Sequence, residues 1–386
     1  MVPITKRRKH IVREGMRIQP ITRTLTLADL ESVGRVENGE YDLMSKRILL
    51  TGASGFVGSH VLRHLLVNTD WELVLPVTFR HKGNSDRIAS SLEGNEEWHS
   101  RVKVVMCDLS QPLSYTTKRR FGDVTEIWNI ASESHVDRSI DSPGSFIQNN
   151  VRLMTEILDY ARELYAEGQL NLFLQMSTDE VYGPAPHGYR HVEWDTIMPS
   201  NPYSASKAAQ EAICFSYWRT YDLPICITNT MNIIGEMQDP EKFVPMTIKK
   251  LLAGEPMTVH VSPKGVSGSR YYLHARNLAD AWLYLSRGFE EVDVNVYPIN
   301  DKPDRFHIVG EQEISNILMV EMIADILGVE PRMELVNFHE SRPGHDLRYA
   351  LDGEKMADWG WQMPIPLEES LRKTVEWYVE HPEWLL

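Results

Sequence analysis

The chain is poor in three features that mark common protein classes. It has three cysteines among 386 residues, too few and too scattered for a disulfide framework or a Cys-rich zinc site. No run approaches the roughly 18 apolar residues that a membrane helix needs. Lysines and arginines number 40 against 54 aspartates and glutamates, so the chain is a poor non-specific binder of nucleic acid or anionic membrane. These shortages predict a cytoplasmic protein of a reducing compartment, with no nucleic-acid and no membrane partner.

What is present is ordinary globular composition. Apolar residues make up 42% of the chain and charged residues 24%, which excludes disorder, collagen and coiled coil as descriptions of the whole chain. A chain of this length is more than one hydrophobic core usually serves, so it predicts two lobes or one large domain with a smaller cap.

The pattern of apolar residues divides the chain. Residues 1–45 show little periodicity and are predicted to be an N-terminal extension, a poorly ordered or partner-docked tail. Beyond them, short apolar runs alternate with helical patterns, which predicts an α/β fold with a Rossmann-like, doubly wound parallel sheet over residues 46–230. The predicted strands are residues 47–50, 73–77, 102–106, 126–130, 172–176 and 225–229, and the long helices are residues 146–165 and 202–221. The irregular remainder, 231–386, predicts a smaller mixed α/β substrate-binding lobe, with 271–300 returning to the first domain.

A glycine-rich segment joins the first strand to the first helix. Residues 51–58 read TGASGFVG. Gly52 allows a tight turn, Gly55 lets the backbone approach a pyrophosphate, and Gly58 lets helix and strand pack closely at the positive helix N-terminus. Such triplets are common by chance, but this position between strand and helix favours dinucleotide binding over a plain structural turn.

The end of the second strand bears on which dinucleotide binds. A carboxylate there would accept a ribose 2′-hydroxyl, but residues 76–80 read PVTFR, with Arg87 beyond. Arg80 can instead pair with a 2′-phosphate. The sequence therefore favours NADP slightly over NAD, the alternative being that Arg80 is a solvated surface residue. Asp108, at the end of the third strand, is placed to meet the adenine.

Two groups of reactive side chains come next. Tyr203 and Lys207 lie four residues apart and so share one helical face, where an ammonium can pull the pKa of a tyrosine base towards neutrality. Thr178, Asp179 and Glu180 directly follow the fifth strand, at the end where open α/β sheets bind ligands. Neighbouring acids at such a site can have separated pKa values, one acting as acid and the other as base. In isolation, the alternative that the two acids merely cap a loop is favoured.

The motifs together resemble a known family. From about residue 46 to 384 the chain is similar to the extended short-chain dehydrogenase/reductases, and more narrowly to the nucleotide-sugar 4,6-dehydratases of the dTDP-glucose 4,6-dehydratase type. The segments that carry the resemblance are 131–139 (ASESHVDRS), 177–183 (STDEVYG), 201–207 (NPYSASK), 239–243 (DPEKF) and 342–346 (RPGHD) with Arg348 and Tyr349. Threonine followed by Asp-Glu is the family's dehydratase mark.

The resemblance implies an order of chemical steps. Tyr203 would take the proton of the sugar 4-hydroxyl as hydride leaves C4, Thr178 would hydrogen-bond that oxygen, and Lys207 would hold the nicotinamide ribose and lower the pKa of Tyr203. Glu180 would then abstract the C5 proton, which is acidic only once C4 is a ketone. Asp179 would protonate the departing C6 hydroxyl. Return of hydride to C6 gives a 4-keto-6-deoxy sugar and regenerates the NAD(P).

The resemblance also implies binding residues. Those for the cofactor are Gly52, Ser54, Gly55, Phe56, Val57, Gly58, Arg80, Asp108, Leu109, Ala131, Ser132, Tyr203 and Lys207. Those for the nucleotide sugar are Ser134, Asn232, Lys242, Phe243, His260, Arg270, Arg342 and His345. A homodimer is implied, formed by the two long helices, whose apolar residues exceed what one sheet face should bury. No metal site is predicted, because His60 and His64 lie one helical turn apart without a visible third ligand.

Departures from the family pattern leave other readings open. His260 stands where the family has a tyrosine beside the base, Pro298 where it has asparagine, and segments 232–236 and 268–272 also differ. The nucleobase therefore stays open among thymidine, uridine, cytidine and guanosine. A 5,6-dehydratase shares the early steps and remains an alternative. A 4-epimerase would not need the Asp-Glu pair, and a non-catalytic dinucleotide-binding protein would not need the intact catalytic residues.

Overall fold

The computed structural model of the chain describes residues 46–80, 82–291, 301–337 and 348–386. The predicted extension at residues 1–45 lies outside the described residues, as do Pro298, Arg342 and His345. The strands are β1 (Arg47–Thr51), β2 (Glu72–Val77), β3 (Val102–Met106), β4 (Glu126–Asn129), β5 (Leu172–Thr178), β6 (Ile225–Thr230), β7 (Asn232–Ile234), β8 (Met257–Val261), β9 (Ser269–His274), β10 (Asp304–Ile308), β11 (Glu313–Ser315) and β12 (Met333–Asn337). The α-helices are α1 (Phe56–Asn68), α2 (Ser85–Leu92), α3 (Glu97–Arg101), α4 (Tyr115–Phe121), α5 (Val136–Asp141), α6 (Pro143–Ala166), α7 (Pro202–Tyr221), α8 (Phe243–Leu252), α9 (Ala275–Glu291), α10 (Asn316–Leu327), α11 (Glu354–Asp358) and α12 (Leu367–Glu380).

The central sheet has seven strands in the order β10-β6-β5-β4-β1-β2-β3. Every neighbouring pair is parallel. The six predicted strands are all present, and the predicted Rossmann-like parallel sheet is confirmed. The sequence did not predict that β10, from late in the chain, pairs with β6 and extends the sheet. Strand β10 therefore lies across β6 from β5, the strand that ends at Thr178.

The sheet is covered by helices on both faces. Along β1, Ile48 and Leu50 pack into a cluster that includes Trp282 of α9, whereas Leu49 packs into a second cluster with Ile157 of α6. The alternation follows from strand geometry, in which successive side chains point to opposite faces. Burial on both sides explains why the strands read as continuous apolar runs and not as alternating patterns.

Smaller sheets carry the rest of the chain. Strands β11, β9 and β7 form one sheet, and β12 pairs in parallel with β8 in another. Helices α8, α10 and α12 pack around a third apolar cluster, which includes Ile248, Val320 and Leu371. Within residues 271–300, β9 lies in the three-stranded sheet, while α9 packs on α1 against the central sheet. The predicted domain bounds of 46–230 and 231–386 stay a prediction. None of the described helices is long and apolar enough to span a bilayer.

Candidate active site

The phosphate loop between β1 and α1 is wound so tightly that two glycines are obligatory. Gly52 has a φ of +76°, which side chains rarely adopt, and its carbonyl accepts a hydrogen bond from the Gly55 amide at 2.8 Å. A Cβ on Gly58 would lie 2.1 Å from the Gly52 carbonyl oxygen. The loop therefore presents bare backbone at the positive end of α1, a cradle that fits the pyrophosphate of a dinucleotide.

A cavity of about 300 Å³ leads from this loop to Tyr203 and Lys207. All thirteen residues predicted for the cofactor line it, as do Ser134 and Lys242 from the predicted substrate set. A cavity lined by both the glycine loop and the Tyr–Lys pair fits a dinucleotide with its nicotinamide beside Tyr203.

Two arginines at the far end of the cavity have different partners. Arg80 is half exposed, and its guanidinium lies 2.7 Å from the Asp108 carboxylate. Arg87 is buried and donates to the Met237 carbonyl at 3.1 and 2.9 Å and to the Lys82 carbonyl at 2.6 Å. These bonds make Arg87 a structural anchor, so Arg80 is the better placed of the two for a 2′-phosphate.

The two adjacent acids follow β5 in a short 3₁₀ turn. The Thr178 hydroxyl donates to Asp179 Oδ1 at 2.9 Å and accepts from the Glu180 amide at 3.3 Å. Burial, and then the nearby Glu180 carboxylate, raise the pKa of Asp179 to about 7, while the Thr178 hydrogen bond opposes the rise. Asp179 Oδ2 is buried and has no hydrogen-bond partner within the described residues. An acid whose pKa is near neutrality, with an oxygen free of hydrogen bonds to the described residues, can donate a proton to a ligand that reaches it, although Asp179 itself does not line the cavity.

Tyr203 and Lys207 lie in the first two turns of α7. Burial, Glu180 and Asp179 raise the pKa of Tyr203, and a Thr178 hydrogen bond opposes the shift. The Lys207 ammonium donates to the Met176 carbonyl at 2.8 Å and to Gln210 at 2.7 Å, and burial lowers its pKa to about 8. Burial and the neighbouring carboxylates therefore oppose the lowering of the Tyr203 pKa that the sequence predicted from Lys207 together with the charge of an oxidised nicotinamide, and that lowering stays a prediction.

Beneath the site lies a chain of buried amides that sequence reasoning missed. The Thr51 hydroxyl donates to Asn129 at 2.7 Å, Asn129 donates to Gln175 at 2.7 Å, and Gln175 donates to Gln210 at 3.4 Å. The chain ties β1, β4 and β5 to α7. Its signal in the sequence is a polar residue within an otherwise apolar strand, as at Gln175 in LFLQM.

A buried ion pair supports β5 from behind. Asn229 donates to the Thr178 carbonyl at 3.0 Å and to Glu211 at 2.8 Å. Arg305 of β10 donates to Asn229 at 2.9 Å and pairs with Glu211. Both charged side chains are at most 1% exposed. The turn Asp179–Tyr182, which we call the catalytic turn after its predicted role, is therefore supported by β10 from late in the chain.

The predicted substrate residues are brought together only in part. Arg270 of β9 is buried, and its charge lies close enough to Asp179 to lower the pKa of that carboxyl. Lys242 contacts the Ser134 carbonyl at 3.3 Å at the cavity wall. Asn232, Phe243 and His260 lie in β7, α8 and β8 and do not line the cavity.

A loop of residues 236–241, which we call the clasp loop, borders the cavity. Two hydrogen-bond contacts hold its first residues: His60 donates to the Glu236 carbonyl at 2.9 Å, and Arg87 donates to the Met237 carbonyl. Charged contacts hold the rest. Lys82 pairs with Asp239 at 2.8 Å, and Glu241 lies 3.1 Å from His135 and 3.5 Å from Arg138. The sequence offered no signal for these pairings. They join the clasp loop to the segments that flank the predicted dinucleotide site.

One cluster within the described residues has the composition of a metal site. Ligand atoms of His60, Glu236 and His274 lie within 4.8 Å of one another. However, His274 Nδ1 accepts from the Arg276 amide at 3.0 Å, so its Nε2 holds the proton and donates to Glu236 at 3.0 Å. The Arg276 guanidinium contacts the same carboxylate at 3.0 Å. The Glu236 carboxylate thus already has a hydrogen bond from His274 and a positive charge from the Arg276 guanidinium.

Comparison with known proteins identifies the family. The profile of the NAD dependent epimerase/dehydratase family matches residues 48–299. The dTDP-glucose 4,6-dehydratase of Escherichia coli is 33% identical over 88% of this chain and 95% of its own length. A trifunctional Arabidopsis thaliana enzyme that includes a UDP-glucose 4,6-dehydratase is 32% identical over 88% of this chain and 48% of its own. The structure of DesIV, a dTDP-glucose 4,6-dehydratase of Streptomyces venezuelae solved with NAD, superposes with a TM-score of 0.75 at 28% identity, covering 88% and 98% of the two chains. The resemblance inferred from the motifs is therefore confirmed, and the chain belongs to the NAD dependent epimerase/dehydratase family.

Proposed function

We propose that the protein is a nucleotide-sugar 4,6-dehydratase, a hydro-lyase that converts an NDP-hexose of the NDP-glucose type to the NDP-4-keto-6-deoxyhexose. The relatives named above support this activity. The observation that carries it is the buried Asp179, whose pKa is raised to about 7, beside Glu180 and next to Thr178 and Tyr203. An elimination across C5 and C6 needs such an acid and base side by side.

The chain's own groups divide the proton transfers. Tyr203 would take the proton of the 4-hydroxyl once the positive charge of an oxidised nicotinamide offsets the rise in its pKa that burial, Glu180 and Asp179 cause. Glu180 takes the C5 proton, and Oδ2 of Asp179, which is buried and has no hydrogen-bond partner within the described residues, gives its proton to the C6 hydroxyl, which leaves as water. Reversible hydride transfer between the sugar and a nicotinamide dinucleotide is the chemistry that the bound cofactor would supply. Lys207, held by β5, would fix the nicotinamide ribose beside Tyr203.

The test is product analysis with the purified holoprotein and dTDP-glucose or UDP-glucose. We expect loss of one water, a C6 methyl group and a C4 ketone by NMR. A 5,6-dehydratase would give the same mass but an alkene in place of the methyl group. Unchanged substrate with both nucleotides, or an epimer at C4, would contradict the proposal.

We further propose that the protein binds NADP in preference to NAD. Arg80 is half exposed three residues beyond β2, and residues 76–80 contain no carboxylate, although in the fold Asp108 pairs with the Arg80 guanidinium at 2.7 Å. A phosphate there would take the Arg80 guanidinium over from Asp108. Apo-protein should bind NADP more tightly than NAD, and Arg80→Ala should weaken NADP alone by about one to two powers of ten. Tighter binding of NAD, with no effect of Arg80→Ala on NADP, would contradict the assignment.

We propose a homodimer through α6 and α7. Leu153, Ile157 and Leu158 pack inside the protomer. The support therefore rests on partly exposed apolar residues of the same helices, among them Val151 and Ile213. Light scattering at micromolar concentration should report twice the chain mass. A monomer would refute the dimer without affecting the proposed chemistry.

We place the enzyme in the cytoplasm. Its three cysteines are unpaired, two of them buried, which suits a reducing compartment. Cell fractionation with an antibody to the chain tests this location. Recovery in an oxidising compartment would contradict it.

A further inference from the structure

We propose that Asn201 is a positioning residue that joins the elimination base Glu180 to the helix carrying Tyr203. This inference rests on the proposed function. Asn201 Nδ2 donates to Glu180 Oε2 at 2.9 Å, and Asn201 Oδ1 accepts from the Ser204 amide at 2.9 Å. One side chain thus connects the 3₁₀ turn after β5 to the first turn of α7.

The helix cap alone does not require an asparagine. Asn201 is the N-cap of α7, and the Ser204 hydroxyl accepts from the Asn201 amide at 3.1 Å in a reciprocal capping box. Serine, threonine or aspartate would provide the same acceptor for Ser204. Because the Asn201 oxygen must face the Ser204 amide, its NH₂ group is oriented towards Glu180. The donor half of the side chain is therefore the part that capping does not explain.

The donor acts where several charges compete. Asp179 and the phenol of Tyr203 lie close enough to Glu180 to be electrostatically coupled to it, and so does the Lys242 ammonium. A hydrogen bond donated to a carboxylate favours its ionised form and fixes its orientation. Asn201 would thus help keep Glu180 ionised beside a protonated Asp179, and hold it in register with Tyr203.

Two variants separate the donor from the cap. Asn201→Ser keeps an acceptor for Ser204 and removes the amide donor, so we expect unchanged thermal stability and a kcat about tenfold lower. Asn201→Asp keeps the cap but puts a like charge beside Glu180 and raises its pKa. A base acts only when it is ionised. As the pH is lowered, the variant should therefore begin to lose activity sooner than the wild type, and the acid limb of its kcat profile should lie about one pH unit higher. Asn95 precedes α3, where its side-chain oxygen accepts a hydrogen bond from the Glu97 backbone amide at 2.9 Å, and it does not line the cavity. Asn95→Ser and Asn95→Asp are therefore the matched controls.

The assay uses holoenzyme with dTDP-glucose and UDP-glucose and reads single steps. Oxidation at C4 precedes removal of the C5 proton, so Asn201→Ser should retain the appearance of reduced-nicotinamide absorbance and slow deuterium exchange at C5. Unchanged kcat, pH limb and exchange in both variants would overturn the inference. Equal slowing of C4 oxidation and C5 exchange would also overturn it, because the effect would then lie in α7 and not in Glu180. A wild-type protein that forms no 4-keto-6-deoxy product from either substrate would overturn the proposed function, whereas an active wild type beside unchanged variants overturns this inference alone.

Discussion

The phosphate loop and the catalytic turn follow β1 and β5, two parallel strands that β4 separates in the sheet, yet they are built in opposite ways. The loop is made within one short segment, where Gly52, Gly55 and Gly58 close on one another. The turn at Thr178 is held by Asn229, 51 positions away, and through it by Arg305. The first site is specified locally, and the second is specified by chain topology.

The two sites also differ in what would damage them. The loop requires that position 58 have no side chain, since any Cβ there would overlap the Gly52 backbone. The catalytic turn depends on the buried hydrogen bonds and the ion pair that Asn229, Glu211 and Arg305 form behind it, because an unpaired buried charge is costly. Steric changes should therefore break the dinucleotide side, and isosteric changes of hydrogen bonding or charge should break the catalytic side.

The largest effect should come from the two acids of the catalytic turn. Glu180→Gln and Asp179→Asn keep the shape of each side chain and remove its proton chemistry. We expect formation of the 4-keto-6-deoxy product to fall by about 10²- to 10⁴-fold in each variant, with a small change in thermal stability. NMR of the product and thermal denaturation provide the measurements.

Asp70→Asn is the matched control for these variants, since Asp70 is exposed in the turn before β2. Its turnover should equal that of the wild type. Near-normal turnover in both catalytic variants would remove the distinction between the catalytic turn and an ordinary acidic loop.

A second test removes one charge of the buried pair behind β5. In Glu211→Gln the Arg305 guanidinium stays buried without its counter-ion. We expect the free energy of unfolding to fall by about 3–5 kcal/mol, measured by urea denaturation. The control is Glu369→Gln, which breaks the surface pair with Lys373 in α12 and should change stability little. Equal losses in the two variants would show that β10 does not support the catalytic turn in the way proposed.

The matching test on the dinucleotide side adds a single methyl group. In Gly58→Ala the new Cβ would overlap the Gly52 carbonyl, so the loop must open, at about 1–3 kcal/mol of stability and with loss of dinucleotide binding. Gly144→Ala is the control, because a Cβ there meets nothing within 4 Å. Fluorescence titration with NAD and NADP measures the effect. Normal binding by Gly58→Ala would mean that the loop is not the pyrophosphate cradle.

How far the sequence predicts the structure follows the same division. The glycine loop, the strands and the placement of Thr178 after β5 could be predicted, because spacing and apolar runs are local properties. The support of the turn by Arg305 could not be predicted, because nothing in the sequence around Arg305 indicates that its strand, β10, pairs with β6. Gln175 carried a usable signal, a polar residue inside a buried strand, which predicts a hydrogen-bond partner without saying which one.

The pKa expectation for Tyr203 shows the same limit. The four-residue spacing of Tyr203 and Lys207 correctly places them on one helix. It does not reveal that the Lys207 ammonium is engaged by the Met176 carbonyl and by Gln210. Nor does it reveal that Glu180 and Asp179 approach the phenol closely enough to raise its pKa. Spacing predicts which groups are near one another, and tertiary contacts decide the sign of their effect.

The pH dependence of activity should report the catalytic side alone. Asp179 must be protonated to donate to the leaving hydroxyl, and its pKa is raised to about 7. We therefore expect kcat to fall by about tenfold per pH unit as the pH rises above 7, while dinucleotide binding weakens only above about pH 8, where Lys207 loses its charge. A flat kcat profile between pH 7 and about 9 would contradict the assignment of Asp179 as the acid.

The smallest effect should come from the clasp loop, where the two sides meet. Lys82, itself 43% exposed, pairs with Asp239 at 2.8 Å, and exposed pairs of this kind contribute about 0–1 kcal/mol. Lys82→Gln should therefore speed dinucleotide release no more than about fivefold at low salt, and the difference should vanish near 0.5 M salt, about where such pairs are screened. Release is followed by cofactor fluorescence after mixing with excess competitor. The control is Arg372→Gln, which breaks a comparable exposed pair with Glu368 in α12 and should leave release unchanged. An effect that persists at high salt would mean that Lys82 contacts the dinucleotide itself. It would then act as part of the cradle, and the clasp loop would be held mainly by the buried bonds of Arg87 to Met237.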